Sequence, residues 1–257
     1  MKNKDKTRKE VGIIGFGNFG RFIAKHLKDK LGVCVTDVAD KRKEAEEIGV
    51  TFTSLENIVK KKIIILAVPM KNLKGILERI KNKLQPEALI LDVCSLKMFS
   101  CKLMKETLPE NVEIIGTHPL FGPQSASNSI KGMKVALCNV NARQETLEKI
   151  KRFCESLGLK AIVTTPEEHD KQMAVSQALT HFIGQTAKHM GLKRVELSTK
   201  TFDDLMSIID IIKNDTPALF ENMQTMNPFA KKIREKFIEE SMKLDRSLNK
   251  KIRRKIK

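Results

Sequence analysis

Three short clusters in this 257-residue chain carry groups that could do chemistry. Residues 113–125, EIIGTHPLFGPQS, set His118 at the end of an apolar run and follow it with Pro119, Gly122 and Pro123, residues that stop regular structure and stiffen a loop. An imidazole titrates near neutrality and can take the proton of an alcohol held within hydrogen-bond reach. Residues 92–97, DVCSLK, bring Ser95 and Lys97 to the end of a second apolar run. A serine hydroxyl beside an imidazole can hold it in one tautomer. Residues 11–20, VGIIGFGNFG, place Gly15, Gly17 and Gly20 in the GxGxxG spacing between an apolar strand and an amphipathic helix. The first glycine permits a tight turn, the second lets a pyrophosphate approach the backbone, and the third lets helix and strand pack closely. The pyrophosphate then meets the positive end of the helix. Phe16, Asn18 and Phe19 complete the turn.

The strand at 33–37, VCVTD, ends in Asp37, 17 residues after Gly20. An acid there accepts hydrogen bonds from the ribose of NAD and repels the 2′-phosphate of NADP. The bland role for Asp37 is an N-cap of the next helix, which Asp40 could fill as well. Lys41 and Arg42 leave room for NADP. The run at 62–69 ends in AVP, where Val68 and Pro69 would line the nicotinamide side, and Ser95 is expected among the cofactor contacts too.

These groups need a scaffold. Up to about residue 165, Val- and Ile-rich runs at 11–15, 33–37, 62–69, 88–94, 113–118, 134–140 and 160–165 alternate with amphipathic stretches such as 22–31 and 143–158. Solidly apolar strands are buried on both faces, so the pattern predicts an α/β domain with a Rossmann-type, doubly wound, mostly parallel sheet over 1–165. After Pro166 the pattern turns helical: 167–191 reads as one long helix, followed by helical stretches at 201–215, 217–226 and 228–257. This predicts an all-helical domain over 166–257 that packs against a second copy in a homodimer.

Composition narrows the function classes. No apolar run reaches the roughly 18–20 residues that span a bilayer, and the charged start MKNKDKTRKE is no secretory signal. The five cysteines form no CxxC pair and no metal-ligand spacing, which fits reduced thiols in the cytoplasm and no metal. The net charge is +17, and residues 231–257 hold twelve Lys/Arg against four Asp/Glu, so the tail carries about half the excess. Clustered cations can bind nucleic acid. Trp and Tyr are absent and no nucleic-acid motif is present, so a soluble surface, or a field that draws anionic substrates, is the preferred reading.

In this order, GFGNFGRF, DVCSLK, GTHPLFGP and EEHDKQMAVSQALTH resemble the prephenate/arogenate dehydrogenases of tyrosine biosynthesis, over about residues 11–228. The similarity is nearest to the branch holding the plant arogenate dehydrogenases. It implies an NAD-dependent oxidative decarboxylation: prephenate to 4-hydroxyphenylpyruvate, or arogenate to tyrosine. It implies that His118 removes the proton of the ring hydroxyl, that Ser95 orients His118 and touches substrate, and that His181 faces substrate from the helical domain. Gln177 is a further candidate for the pocket, and His169–Asp170 matches a pair read as structural. His26 and His189 match nothing.

Two departures matter. The place of an arginine that clamps the ring carboxylate in many bacterial relatives holds Ser207, which leaves Lys97, Lys200, Lys213 and Arg21 as substitutes by charge. Where plant arogenate enzymes tend to carry an acid, this chain has Cys138 and Asn139, which tilts the expectation toward prephenate. The competing readings are another two-domain hydroxyacid dehydrogenase, which would use a lysine where this chain offers His181, and a nucleotide- or nucleic-acid-binding protein without turnover.

Overall fold

The computed structural model describes residues 9–126, 129–213 and 215–255. Of the charged start, residues 1–8 lie outside the described residues, as do the last two of the basic tail. Contacts divide the chain into two units, Met1–Glu167 and Glu168–Lys257.

The first unit is built on β1 (Glu10–Ile14), β2 (Gly32–Thr36), β3 (Thr51–Phe52), β4 (Ile63–Leu66), β5 (Leu89–Asp92), β6 (Glu113–Pro119), β7 (Lys134–Asn139) and β8 (Lys160–Val163). They form one sheet in the order β3-β2-β1-β4-β5-β6-β7-β8. Every neighbouring pair is parallel except β6 and β7. The strand order reverses between β1 and β4, and in such sheets ligands bind beyond the carboxyl ends of the strands at that point.

Alternate residues of the strands feed two cores, which is why the runs are apolar throughout. On one face Ile14, Ile64, Leu66, Ile90 and Ile114 meet Leu73 and Leu77 of α4 (Met70–Ile80) and Met104 of α5 (Lys97–Thr107). On the other, Ile13, Val35, Ile65, Leu91, Ile115 and Leu137 meet Ala24 and Leu27 of the helix Asn18–Leu27 (α1), Ala45 of Arg42–Ile48 (α2) and Leu147 of Gln144–Ser156 (α6). The short helix Leu55–Ile58 is α3. The strand β3 has no counterpart among the runs read from sequence.

The second unit is helical: α7 (Pro166–Met173), α8 (Thr180–His189), α9 (Lys200–Ile212), α10 (Pro217–Thr225) and α11 (Ala230–Lys255). The stretch expected as one helix is continuous through α7 and α8, with a π-helical turn, Ala174–Leu179, between them. Gln224, itself buried, donates to the carbonyl of Ala178 in that turn at 2.7 Å. Thr199 and Thr216 cap α9 and α10 by accepting from Phe202 N and Leu219 N. Among the described residues no helix is long and apolar enough to cross a membrane.

Candidate active site

The glycine turn has the geometry that a bound pyrophosphate needs. Gly15 takes φ +100°, and a Cβ on Gly20 would lie 2.0 Å from the carbonyl oxygen of Gly15, so only glycine fits there. A Cβ on Gly17 would meet nothing within 4 Å, which leaves the second glycine open to an approaching phosphate. Gly17 also caps α1 without any side-chain hydrogen bond. Asp37 closes the turn from below: its Oδ2 accepts the N–H of Phe16 at 2.6 Å and its Oδ1 that of Ala39 at 3.1 Å. Asp37 therefore does not cap α2. Asp40 accepts instead from Arg42 N at 3.2 Å, and Lys41 donates to the carbonyl of Phe16 at 3.3 Å. Asn18 accepts from Arg21, and Phe19 stacks on Phe22 with ring centroids 5.9 Å apart. Val68 and Pro69 sit between β4 and α4, with Pro69 at the N-cap.

The Ser95 and His118 strand ends are neighbours. β5 and β6 pair in parallel with Asp92 opposite Gly116. Ser95 follows three residues after the first and His118 two after the second. Both are buried, at 8% and 6% exposure. His118 lies within β6 rather than in the loop, opposite Ala136 of β7. The loop starts after Pro119 and is tied back: Leu120 N donates to Lys134 O at 2.9 Å, and Phe121 packs edge-on against Phe22 of α1. Glu113, at the start of β6, accepts from Arg143 N at 2.8 Å and from the Arg143 guanidinium and Thr146, which fixes the start of α6. Burial pushes the Glu113 carboxyl up, and these donors outweigh it, holding it below the usual glutamate range.

Lys97 corrects the expectation of a substrate contact. Its side chain is fully buried, and its ammonium donates to Asp92 Oδ2 at 2.5 Å and to the carbonyl of Thr117 at 2.7 Å. Its charge is directed into the protein because Gly116, with no Cβ, leaves a channel past β6; a Cβ there would lie 3.4 Å from Lys97 Cδ and 2.3 Å from Cys101 Sγ. Burial also raises the thiols of Cys94 and Cys101, the latter to about 12. Cys138 is buried, and the Asn139 side chain holds both backbone groups of Ala142, so no carboxylate projects from this strand end.

A cavity of about 630 Å³ lies elsewhere in this unit, over the sheet between α1 and α6. It is floored by Ile65, Leu89 and Leu91 and walled by Phe22 and Phe153. Thr117 and Pro119 reach it, whereas His118, on the alternate face of β6, does not.

In the second unit His181 Nδ1 lies 3.2 Å from Asp215 Oδ2, at ion-pair distance but without hydrogen-bond alignment. Asp215 was not visible as a partner in the sequence, 34 residues away and in a different element. Gln177 falls in the π-helical turn, a local form often found at functional sites. Lys200 is exposed and pairs with Asp204. Ser207 Oγ donates to Asp203 O at 2.8 Å. His169 and Asp170 are buried together at 2.7 Å, and Asn227 donates to the Asp170 carbonyl. Among the described residues no cluster of three or more His, Cys, Asp or Glu could hold a metal ion.

A glycine-rich turn at the switch point of a doubly wound sheet, with a buried histidine three strands away, defines a nucleotide-binding domain of the dehydrogenase kind. The chain belongs to the prephenate/arogenate dehydrogenase family: residues 19–164 match the model of the prephenate dehydrogenase nucleotide-binding domain. Residues 186–257 match the TYRAAT1-like C-terminal domain. The chain is 32% identical over 250 residues to a probable arogenate/prephenate dehydrogenase of Methanocaldococcus jannaschii, covering 93% of this chain and 56% of that protein. It is 29% identical over 245 residues to the chloroplastic arogenate dehydrogenase 1 of Arabidopsis thaliana, covering 91% of this chain and 38% of that protein. The chain thus spans about half or less of these relatives' lengths. A crystal structure of A. aeolicus prephenate dehydrogenase with hydroxyphenyl propionate and NAD+ has the same fold, with TM-score 0.76, 22% identity, and coverage of 96% of this chain and 93% of that one.

Proposed function

We propose that this chain is an NAD-dependent prephenate dehydrogenase, converting prephenate to 4-hydroxyphenylpyruvate with loss of carbon dioxide. The observation that carries this reading is that buried His118 lies in β6 while buried Ser95 lies just beyond the end of β5, the strand paired in parallel with it, in a chain that matches the family's nucleotide-binding model. The residues fit a dinucleotide: Gly17 is open, Gly20 admits no side chain, and Asp37 keeps acceptor capacity beyond the two N–H groups it holds, since a carboxylate offers about four lone-pair sites. Gly15, Phe16, Gly17, Asn18, Phe19 and Gly20 would hold the pyrophosphate, Asp37 the ribose, and Val68, Pro69 and Ser95 the nicotinamide side. When bound, the cofactor accepts a hydride from the ring carbon that bears the hydroxyl.

His118 accepts the proton of that hydroxyl, and Ser95 fixes its imidazole. The ring carbonyl that develops takes up the electron pair of the bond to the departing carboxylate, carbon dioxide leaves as the ring aromatises, and the phenolic oxygen takes back the proton held by His118. The protein's part is orientation of the reacting groups. Within the second unit, His181, which lies 3.2 Å from Asp215, and Gln177 of the π-helical turn are the candidate substrate contacts. Arogenate is the second reading, favoured by the likeness to the Arabidopsis enzyme; the absence of an acid at Asn139 favours prephenate. The second unit joins two copies through α11, which leaves Ile238, Met242, Leu244, Leu248 and Ile252 exposed. Cytoplasmic location belongs to the same reading.

The test supplies prephenate, then arogenate, each with NAD and NADP, and follows absorbance of the reduced cofactor. Reduction with prephenate and NAD is expected. No reduction with either substrate overturns the reading, and sedimentation of a monomer at micromolar concentration overturns the dimer.

A further inference from the structure

Lysine is almost never fully buried unless paired, yet Lys97 and Asp92 are both at 0% exposure. The two are not simply a pair. Asp92 Oδ1 accepts from Thr117 N at 3.2 Å, and its Oδ2 accepts from Cys94 N at 3.1 Å as well as from Lys97. Thr117 Oγ1 donates to the carbonyl of Asp92, and the Thr117 carbonyl accepts from Lys97 Nζ. Thr117 is thus held at its N–H, its hydroxyl and its carbonyl, all from β5 or the first residue of α5. Cys94 directly precedes Ser95, and Thr117 directly precedes His118.

Such a network is an expensive way to join two strands. Removing each charge from water costs several kcal/mol, and apolar pairs of similar volume often replace buried ion pairs with no loss of stability. What apolar packing lacks is direction. Hydrogen bonds weaken steeply when misaligned, so this network fixes the angle and register at which the backbone leaves both strands. Burial disfavours the Lys97 charge and Asp92 restores it, and the balance keeps the ammonium protonated.

We propose that Asp92, Lys97 and Thr117 form a positioning clamp that sets Ser95 and His118 relative to each other, with Lys97 acting through the backbone and not on the substrate. The proposal rests on His118 as the proton acceptor. A displacement of about 1 Å at a reacting group can cost about 100-fold in rate, so the clamp is read out in kcat.

The experiment compares full-length wild type, Lys97→Met, the double variant Asp92→Asn/Lys97→Met, and Thr117→Val. It measures Tm, the NAD dissociation constant, kcat and KM. Lys97→Met strands a buried carboxylate and melts far below wild type. The double variant removes both charges, keeps an acceptor for Thr117 N–H while giving up the one for Cys94 N–H, and recovers most of the lost Tm. Its kcat stays about 100-fold down while KM and NAD affinity stay within about threefold. Wild-type kcat in the recovered double variant overturns the clamp and leaves a merely structural pair. If the double variant does not fold, Thr117→Val decides: it keeps the ion pair and is expected to lose about tenfold in kcat with Tm near wild type, and unchanged kcat overturns the proposal. A wild type silent with both prephenate and arogenate fails the functional reading, and the clamp falls with it; an active wild type with an active double variant fails the clamp alone.

Discussion

The backbone N–H of Phe16 points at the carboxylate of Asp37 across 2.6 Å, joining the glycine turn to the end of β2. One side chain therefore shapes the turn and, in the proposed reading, also meets the ribose. Asp37→Ser removes a charged acceptor from both tasks. Hydrogen bonds to charged groups contribute about 1.5–3 kcal/mol, so NAD affinity should fall about 10- to 100-fold. NADP, whose 2′-phosphate the carboxylate repels and Lys41 attracts, should lose less. Equal losses for the two, measured by titration calorimetry, would leave Asp37 a turn anchor only.

His118→Asn retains a buried polar side chain in β6 but cannot accept a proton near neutrality. General-base catalysis contributes about 10²–10⁴-fold, and kcat should fall by that range with NAD affinity unchanged. Turnover equal to wild type would remove His118 from the mechanism.

Glu113 links β6 to the start of α6 through Arg143 and Thr146. Its folded carboxyl lies below the ordinary glutamate value, so the stability it adds is present above about pH 4.3 and is lost as pH falls through the folded value. Glu113→Gln should lower stability at pH 7 by about 1–3 kcal/mol. The gap to wild type should close in acid. A gap independent of pH in urea melts would show that the charge is not what matters.

Gly116→Ala drives a methyl group to 2.3 Å from Cys101 Sγ. Overpacking of this kind costs about 1–3 kcal/mol. Cys101→Ala removes the obstructing sulfur, so the double variant should be more stable than Gly116→Ala alone. Additive losses in thermal melts would place the strain elsewhere, against Lys97.

Much of the first unit was legible because doubly covered strands leave a plain mark: three or more consecutive Val, Ile and Leu, as in IIIL and LILD. The strand β3 is two residues, Thr51–Phe52, too short to show any period. The reversed direction of β7 is not a property of its own residues, since KVALCN would read the same either way; it shows only in the pairing with β6. At the site, spacing set Ser95, Lys97 and His118 near one another. Whether the lysine faced solvent or the interior depended on Gly116, on the neighbouring strand. The tie between His181 and Asp215 was hidden for the same reason, because α9 stands between them in the chain.

The pairing of His118 with Ala136 in the β6–β7 ladder has a consequence for what substrate binding must accomplish. Fixing one residue's backbone costs about 1–2 kcal/mol in entropy. Here that cost is met during folding, by the same hydrogen bonds that make the sheet. If His118 is the proton acceptor proposed above, its backbone is already fixed before any ligand arrives, so binding affinity need not be diverted into ordering it.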